Sequence, residues 1–121
     1  MKQLLLFSIG FLLSYMSYSQ DILSGLKSGN AKEIAEYFDN TIEITLKGKN
    51  NSYDKKKAED LLQSFFTEVN VKGFRIIHES ASGSSQYYIG NLITADGPYR
   101  TTVYTKEKNK KTVIQEIRFE K

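Results

Sequence analysis

The chain has 121 residues, 40% of them hydrophobic and 26% charged, and this composition is typical of one ordinary globular domain. It contains no cysteine, which excludes disulfides, a thiol nucleophile and thiolate zinc ligands, and its single histidine excludes a His-rich metal site. The 17 basic and 14 acidic residues give a formal net charge of only +3. We therefore expect no nucleic-acid partner, no metal and no other cofactor.

The first 19 residues have the three parts of a secretory signal peptide. Lys2 gives a positive start, residues 4–13 are almost wholly apolar, and the small residues Ser17 and Ser19 precede Gln20. The alternative is a membrane anchor, but the run is far shorter than the ~20 apolar residues that span a bilayer. We predict a signal peptide over residues 1–19, a single domain over residues 20–121, and export to the periplasm or the extracellular space without a transmembrane anchor.

Three segments of the mature chain have helical patterns. Residues 22–26 carry a short apolar stripe, and Asn30 with Glu33 forms a capping box that opens a second helix ending before residue 39. Asp54 is the expected N-cap of the longest helix. Its apolar residues recur with the spacing of one wide helical face: Ala58, Leu61, Leu62, Phe65, Phe66 and Val69.

The remaining segments predict strands. Residues 41–46 alternate between apolar and polar side chains, and residues 52–53 can pair briefly beside them. The region from residue 73 to residue 120 contains four runs rich in β-branched and aromatic residues, which predict an antiparallel meander. The predicted class is α+β, with a curved antiparallel sheet of this four-strand meander plus one or two short N-terminal strands, packed on about three helices.

The faces of the meander follow from its turns. A two-residue turn at Asp96 and Gly97 places opposed residues of the two flanking strands on the same face. The turn within residues 106–111 is ambiguous, since a three-residue loop with a bulge would reverse the last strand. With a two-residue turn, we expect these residues on the helix-covered face: Phe74, Ile76, His78, Ile89, Asn91, Ile93, Arg100, Thr102, Tyr104, Val113, Gln115, Ile117 and Phe119.

Several polar residues of that face would form one wall of a ligand pocket. A buried polar group without a partner costs about 1 to 3 kcal/mol, so such a cluster needs partners, water or a ligand. The Arg100 guanidinium could clamp a carboxylate or phosphate, or could instead pair with Asp39 or Glu36 or reach the rim. The pocket candidates are His78, Asn91, Arg100, Thr102, Tyr104 and Gln115.

The opposite, outer face is predicted to be an interface. Its exposed apolar and aromatic area would suit a twofold homodimer. The interface candidates are Tyr88, Leu92, Tyr99, Val103 and Ile114.

The order of elements resembles the nuclear-transport-factor-two-like cone, a cystatin-like α+β fold with a curved sheet wrapped around helices. Segments 28–40, 58–66, 73–79 and 88–100 are more closely similar to a family of small exported Bacteroidota proteins known only as a domain of unknown function. The superfamily resemblance implies pockets between the helices and the concave sheet face, and dimers through the outer face. The family resemblance implies a fold but no site residue. Enzymes of the superfamily use acidic or histidine residues deep in the pocket, and the meander offers no inward Asp or Glu.

We therefore expect an exported, non-enzymatic binding module that holds a small molecule or an envelope protein on the helix-covered face. The alternative is a small hydrolase or isomerase with His78 as general base and Tyr87 or Tyr104 orienting the substrate. A third candidate is a structural or dimerisation protein of the cell envelope. Filling of the covered side by Phe38, Phe65 and Phe66 would favour this third function.

Overall fold

The structure is a computed structural model that describes residues 17–121, with side chains from residue 20 onward. The predicted signal peptide lies outside the described residues, except for the backbone of residues 17–19. The predicted α+β class is confirmed by three helices and six strands. In chain order these are α1 (Ser17–Ser28), α2 (Ala31–Ala35), β1 (Phe38–Leu46), β2 (Lys49–Asp54), α3 (Lys55–Val69), β3 (Val71–Ser82), β4 (Ser85–Thr94), β5 (Gly97–Lys108) and β6 (Lys111–Glu120).

The helix starts follow the predicted caps. The Asn30 side chain accepts a hydrogen bond from the Glu33 backbone N–H at 3.3 Å, and Asp54 accepts one from Lys57 at 2.8 Å. These carboxamide and carboxylate oxygens satisfy backbone donors that the first turn of a helix leaves unpaired. Helix α2 is shorter than predicted, because Phe38 already pairs with Ile114 of β6 and begins β1.

The sheet has the strand order β2-β1-β6-β5-β4-β3. Strands β3 to β6 form the predicted antiparallel meander, and β2 pairs with β1 over its whole length. The pairing between β1 and β6 is parallel, so the sheet is mixed where we expected it to be antiparallel throughout. This difference arises because the last strand lies beside β1 and joins the N-terminal hairpin to the meander.

One face of the sheet, the covered face, packs against all three helices. Rings from α3 interlock with rings from the strands: Phe65 lies 4.9 Å from Phe119 and 5.2 Å from Tyr99, and Phe66 lies 6.0 Å from Phe119 between ring centroids. The buried strand residues of the covered face are Phe38, Ile42, Ile44, Phe74, Tyr88, Leu92, Thr94, Thr101, Val103, Thr105, Ile114, Ile117 and Phe119.

The other face, the open face, has no helix packed on it. Its residues lie opposite one another in three rows that cross the sheet from β3 toward β6, and two of the rows continue into β1 and β2. The open face consists of Arg75, Asn91, Arg100 and Glu120 in one row, His78, Ile89, Thr102, Arg118, Thr45 and Asn50 in the next, and Ser80, Tyr87, Tyr104, Glu116, Glu43 and Ser52 in the third.

Our assignment of the two faces was therefore wrong for β4 and β5, although the grouping was right. The odd-numbered residues of β4 do share a face with the even-numbered residues of β5, as predicted, but that face is the open one. The register also differs by two residues, because Thr94 pairs with Gly97 and the turn consists of Ala95 and Asp96. Gly97 therefore follows the turn instead of lying inside it. Its φ of +93 is one that residues with a side chain rarely adopt, which explains why a glycine stands there.

Two bulges explain the remaining errors. On β3, an irregularity between Ile76 and His78 turns His78 to the open face while Phe74 stays on the covered face as predicted. On β6, an irregularity beside Gln115 breaks the alternation, so that Val113 lies opposite Lys106 while Ile117 and Phe119 remain covered. Both bulges lie in stretches where the sequence has no glycine or proline to mark them.

Candidate functional site

An aromatic ladder crosses the middle of the open face. The His78 ring lies 6.0 Å from the Tyr87 ring, and the Tyr87 ring lies 5.9 Å from that of Tyr104. The Arg118 guanidinium lies 5.6 Å from the centroid of Tyr104 and extends the ladder onto β6. Tilted aromatic pairs and cation–π contacts of this kind hold side chains in fixed positions on a rigid sheet.

The half of the open face on β3, β4 and β5 is basic. Arg75 and Arg100 lie on either side of Asn91 in one row, so their Cα atoms are separated by two strand spacings, or about 10 Å. Lys106 lies further along β5, opposite Val113. Within residues 17–121, neither arginine takes part in an ion pair shorter than 4.0 Å. This basic half therefore presents two guanidinium groups whose charges are not neutralised.

The half of the open face on β6, β1 and β2 is acidic. It carries the carboxylates of Glu43, Glu116 and Glu120 around a groove of about 390 Å³ that Arg118 also lines. Glu116 is the neutralised member, because its carboxylate accepts a hydrogen bond of 2.7 Å from Arg118 Nε. Glu43 and Glu120 form no ion pair with the described residues.

A separate cleft of about 500 Å³ lies where the β4–β5 turn meets the end of α3. The turn is fixed there, since the Ala95 N–H donates to the backbone oxygens of Val69 and Asn70. The Tyr99 hydroxyl donates to Asp96 Oδ2 at 2.7 Å, and this bond raises the pKa of Tyr99 to about 12 and lowers that of Asp96. The cleft is lined by Lys47, Glu68, Val69, Ala95, Asp96 and Tyr99.

The structure moves the predicted pocket wall to the open face. His78, Asn91, Arg100, Thr102 and Tyr104 share that face, so their placement under the helices was wrong. Gln115 is separated from the row, because its bulged position lets its amide donate to Asp39 on β1 at 3.3 Å. Arg100 forms no ion pair with Asp39, whose carboxylate is bound by Lys108 at 2.8 Å. A ligand-binding function of these residues stays a prediction.

The predicted interface patch is mostly core. Tyr88, Leu92, Val103 and Ile114 are at most 1% exposed beneath the helices, so they cannot form an exposed surface. Tyr99 is half-buried, with its ring edge on Phe65 and its hydroxyl at the cleft. The physical reason is the exchange of the two faces, since the more apolar set of β4 and β5 is the one that the helices cover.

His78 is exposed, and the one ring contact described for it is with Tyr87. Tyr87 and Tyr104 lie beside it in the aromatic ladder, and its function as a general base stays a prediction. The residues that we missed are Arg75, Glu43, Glu116, Arg118 and Glu120. Their alternation along β1, β3 and β6 would have identified them once the open face was known.

The described residues offer neither a metal-binding cluster nor a helix that could span a membrane. Among residues 17–121, His, Asp and Glu nowhere form a group of three that could hold a metal ion. Over the same part of the chain, no helix combines the length and the apolar character needed to cross a bilayer.

Comparison with known proteins places the chain in a family. Residues 19–120 match the domain of unknown function DUF4783, and no curated protein is recognisably similar to the chain. A DUF4783 protein from Bacteroides uniformis is 28% identical, with a TM-score of 0.83 over 87% of this chain and 97% of that one. A DUF4783 protein from Bacteroides fragilis is 30% identical, with a TM-score of 0.80 over 84% of this chain and 95% of that one.

More distant structures share the fold alone. An NTF2-like protein of unknown function from Cytophaga hutchinsonii is 6% identical, with a TM-score of 0.60 over 84% of this chain and 83% of that one. The predicted resemblance to the nuclear-transport-factor-two-like fold and to a domain of unknown function is thus confirmed. The chain belongs to the DUF4783 family and has the NTF2-like fold.

Proposed function

We propose that this chain is an exported, non-enzymatic binding module that associates with a second copy of itself through the open face. The observation that carries the proposal is the division of charge on that face. Among the described residues, Arg75 and Arg100 form no ion pair on one half, and Glu43 and Glu120 form none on the other, although Arg100 and Glu120 face each other across the boundary. A surface with opposite charges on its two halves is complementary to its own copy, as a twofold interface requires.

The charge pattern also selects the orientation of the two copies. In a face-to-face twofold dimer the axis lies in the plane of contact. An axis parallel to the strands exchanges the two halves and brings each basic half over the partner's acidic half, whereas an axis perpendicular to the strands brings like charges together. The boundary between the halves falls between β5 and β6, so Tyr104 and Arg118 would lie beside the axis.

The available area suits a stable dimer. Six strands are separated by five spacings of about 4.8 Å, which gives a width of about 24 Å, and most strands extend for about 30 Å or more. The open face therefore offers roughly 700 Å², close to the ~800 Å² per partner of a standard interface. Tyr87, Tyr104 and Ile89 supply aromatic and apolar area near its middle, which is typical of the core of an interface.

The filled covered face supports binding without catalysis. The rings of Phe65, Phe66 and Phe38 are at most 4% exposed and fill the space between helices and sheet. This filling favours an assembly function over a pocket. Export is supported by the signal-peptide pattern of residues 1–19 and by the family match, which begins at residue 19. Fusion of residues 1–25 to a reporter enzyme that is active only outside the cytoplasm tests the export, and an inactive fusion would count against it.

Sedimentation velocity with charge-reversed variants tests the dimer. The basic-half variant, Arg75→Glu with Arg100→Glu, makes both halves acidic, and the acidic-half variant, Glu43→Lys with Glu120→Lys, makes both halves basic. We expect the wild type to dimerise at micromolar concentration and each variant alone to be monomeric. An equimolar mixture of the two variants should form a heterodimer, because each restores the complementary charge of the other.

The control is Lys27→Glu with Lys32→Glu, which changes exposed residues of the helices. It lowers the net charge by the same amount as the basic-half variant. This variant should remain dimeric. A wild type that is monomeric at about 100 μM, or a mixture of the two variants that fails to associate, would falsify the proposal.

A further inference from the structure

An ammonium group of the chain itself already lies against two of the residues that line the cleft at the end of α3. Lys121 Nζ lies 5.4 Å from the centroid of the Tyr99 ring and 3.3 Å from Asp96 Oδ2. An ammonium between an aromatic face and a carboxylate is the arrangement by which proteins recognise organic cations. Lys121 therefore shows that Asp96 and Tyr99, at the edge of this cleft, can accommodate a cation.

The aromatic wall of this position is rigid. The Tyr99 ring packs edge-on against Phe65 of the core, at 5.2 Å and 87°, and its hydroxyl is fixed by Asp96. The backbone around it is also fixed, since the Ala95 N–H is bound to the carbonyls at the end of α3. A preorganised site loses little entropy when a ligand binds.

Besides the carboxylate of Asp96, the cleft offers a second carboxylate and an apolar surface. Glu68 lies in the same cleft and is paired with Lys47 at 3.4 Å, while Val69 and Ala95 line the wall. Both lysine pairs are exposed, with all four side chains at least 55% accessible. Exposed ion pairs contribute at most about 1 kcal/mol, so an incoming ammonium can replace either lysine.

We propose that this cleft binds primary ammonium groups carried on an alkyl chain, and that Lys121 is a built-in competitor for them. The ligand is a diamine or polyamine whose alkyl segment contacts Val69 and Ala95, or the side chain of a lysine on another protein. Asp96 with Tyr99 binds one ammonium, and Glu68 binds a second where the ligand has two. The site lies off the open face, so it is independent of dimerisation.

A titration followed by ¹⁵N–¹H NMR at low salt tests the site. The probes are cadaverine, which is a free diamine, and lysine capped at both ends, which represents a protein side chain. We expect saturable shifts of the amides of Asp96 and Gly97, with cadaverine binding more tightly than pentylamine. Glu68→Gln should remove that difference between the diamine and the monoamine.

The decisive variants change the competitor and its partner. Lys121→Met should lower the dissociation constant about fivefold, because the bound ammonium no longer has to be displaced. Asp96→Asn should abolish saturable shifts, with urea denaturation confirming that the variant is folded. Binding of cadaverine alone would identify a free polyamine as the ligand, and binding of capped lysine alone would identify a protein side chain.

Lys56→Met is the matched control, since Lys56 forms a comparably exposed pair with Asp60 on α3, at 3.2 Å. It removes the same charge without touching the cleft, and should leave the dissociation constant unchanged. The proposal is overturned if Lys121→Met does not tighten binding, if Lys56→Met tightens it equally, or if neither probe gives saturable shifts in the wild type.

Discussion

The covered and open faces of the same sheet differ in how their side chains are satisfied. On the covered face, the rings of Phe65, Phe66 and Phe119 fill the space between helix and sheet. On the open face, Arg75, Arg100, Glu43 and Glu120 lack ion-pair partners among the described residues. The comparison teaches that the two faces are built differently, with packing on one and unpaired charge on the other, and the proposed self-association rests on this separation.

Truncation of a ring on each face is the strongest test of this separation. Phe65→Ala removes a ring that contacts Phe66, Tyr99 and Phe119, and it should lower the free energy of unfolding by about 3 to 5 kcal/mol. Tyr104→Ala on the open face should cost about 1 kcal/mol or less. Urea denaturation of both, made in the Arg75→Glu, Arg100→Glu background, excludes any contribution from self-association. Equal losses would contradict the separation.

Two glycine-to-alanine substitutions compare how tightly the two faces are packed, with Gly90 on the covered face and Gly73 on the open face. A Cβ at Gly90 would lie 2.5 Å from the Arg75 carbonyl oxygen and 2.5 Å from Phe74 Cζ, so Gly90→Ala should destabilise by about 1 to 3 kcal/mol. A Cβ at Gly73 would meet nothing within 4 Å, and Gly73→Ala should stay within about 0.5 kcal/mol of the wild type. Thermal unfolding distinguishes the two. A tolerated Gly90→Ala would mean that the Phe74 ring and its strand can shift.

The hydroxyl of Tyr88 is a polar group buried within the largely apolar packing of the covered face. The Tyr88 hydroxyl is buried without a hydrogen-bond partner among the described residues, and burial raises the pKa of this side chain. Tyr88→Phe removes an unsatisfied group while keeping the ring, so it should raise the free energy of unfolding by about 1 kcal/mol. Urea denaturation measures the change. A loss of stability would instead identify a hydrogen bond that Tyr88 makes in solution.

The smallest effect concerns the ion pair that holds the β6 bulge. The hydrogen bond from Lys108 Nζ lowers the pKa of Asp39, and Gln115 also donates to this carboxylate. Because the folded pKa is below the unfolded value of about 3.9, the stabilisation is present above that value and is lost as pH falls through the folded pKa. Asp39→Asn should cost about 0.5 to 1 kcal/mol at pH 7 and less at pH 2, because protonation of Asp39 removes the same charge.

Unfolding measured at both pH values tests this, with Asp60→Asn as the control. Asp60 forms an exposed pair with Lys56 on α3, far from the bulge, and its loss should have a smaller effect at pH 7. A pH-independent cost of Asp39→Asn would mean that Asp39 contributes through its polar contacts and not through its charge.

Much of the fold could be predicted because its signals are local. The caps at Asn30 and Asp54 and the apolar stripe of α3 depend on residues within a few positions of one another. The parallel pairing of β1 with β6 could not be predicted, because strands about 70 residues apart carry no mark of their partner. The α+β class came from these patterns, and the resemblance to the nuclear-transport-factor-two-like cone supplied the architecture that periodicity alone left open.

Most residues of the candidate site were correctly predicted to share one face of the sheet, but that face was wrongly predicted to be the covered one. Asn91, Arg100, Thr102 and Tyr104 do lie together, since alternation along paired strands fixes which residues share a face. Alternation does not say which face the helices cover, and the prediction joined the apolar side chains of β3 to the wrong face of β4. One bulge separates Gln115 from this set and another separates His78 from Phe74, and bulges depend on tertiary pairing and not on local sequence.

The position of β6 has a consequence for the order of folding. Strand β1 pairs only with β2 and β6, and the meander reaches β1 only through β6. Before residues 111–120 are available, the sheet exists as two unconnected pieces, one of β1 and β2 and one of β3, β4 and β5. A chain emerging from the ribosome therefore cannot assemble its complete sheet until synthesis has passed Glu120. Such a delay would suit the proposed export, because a chain whose last strand completes the sheet stays incompletely folded until its synthesis ends.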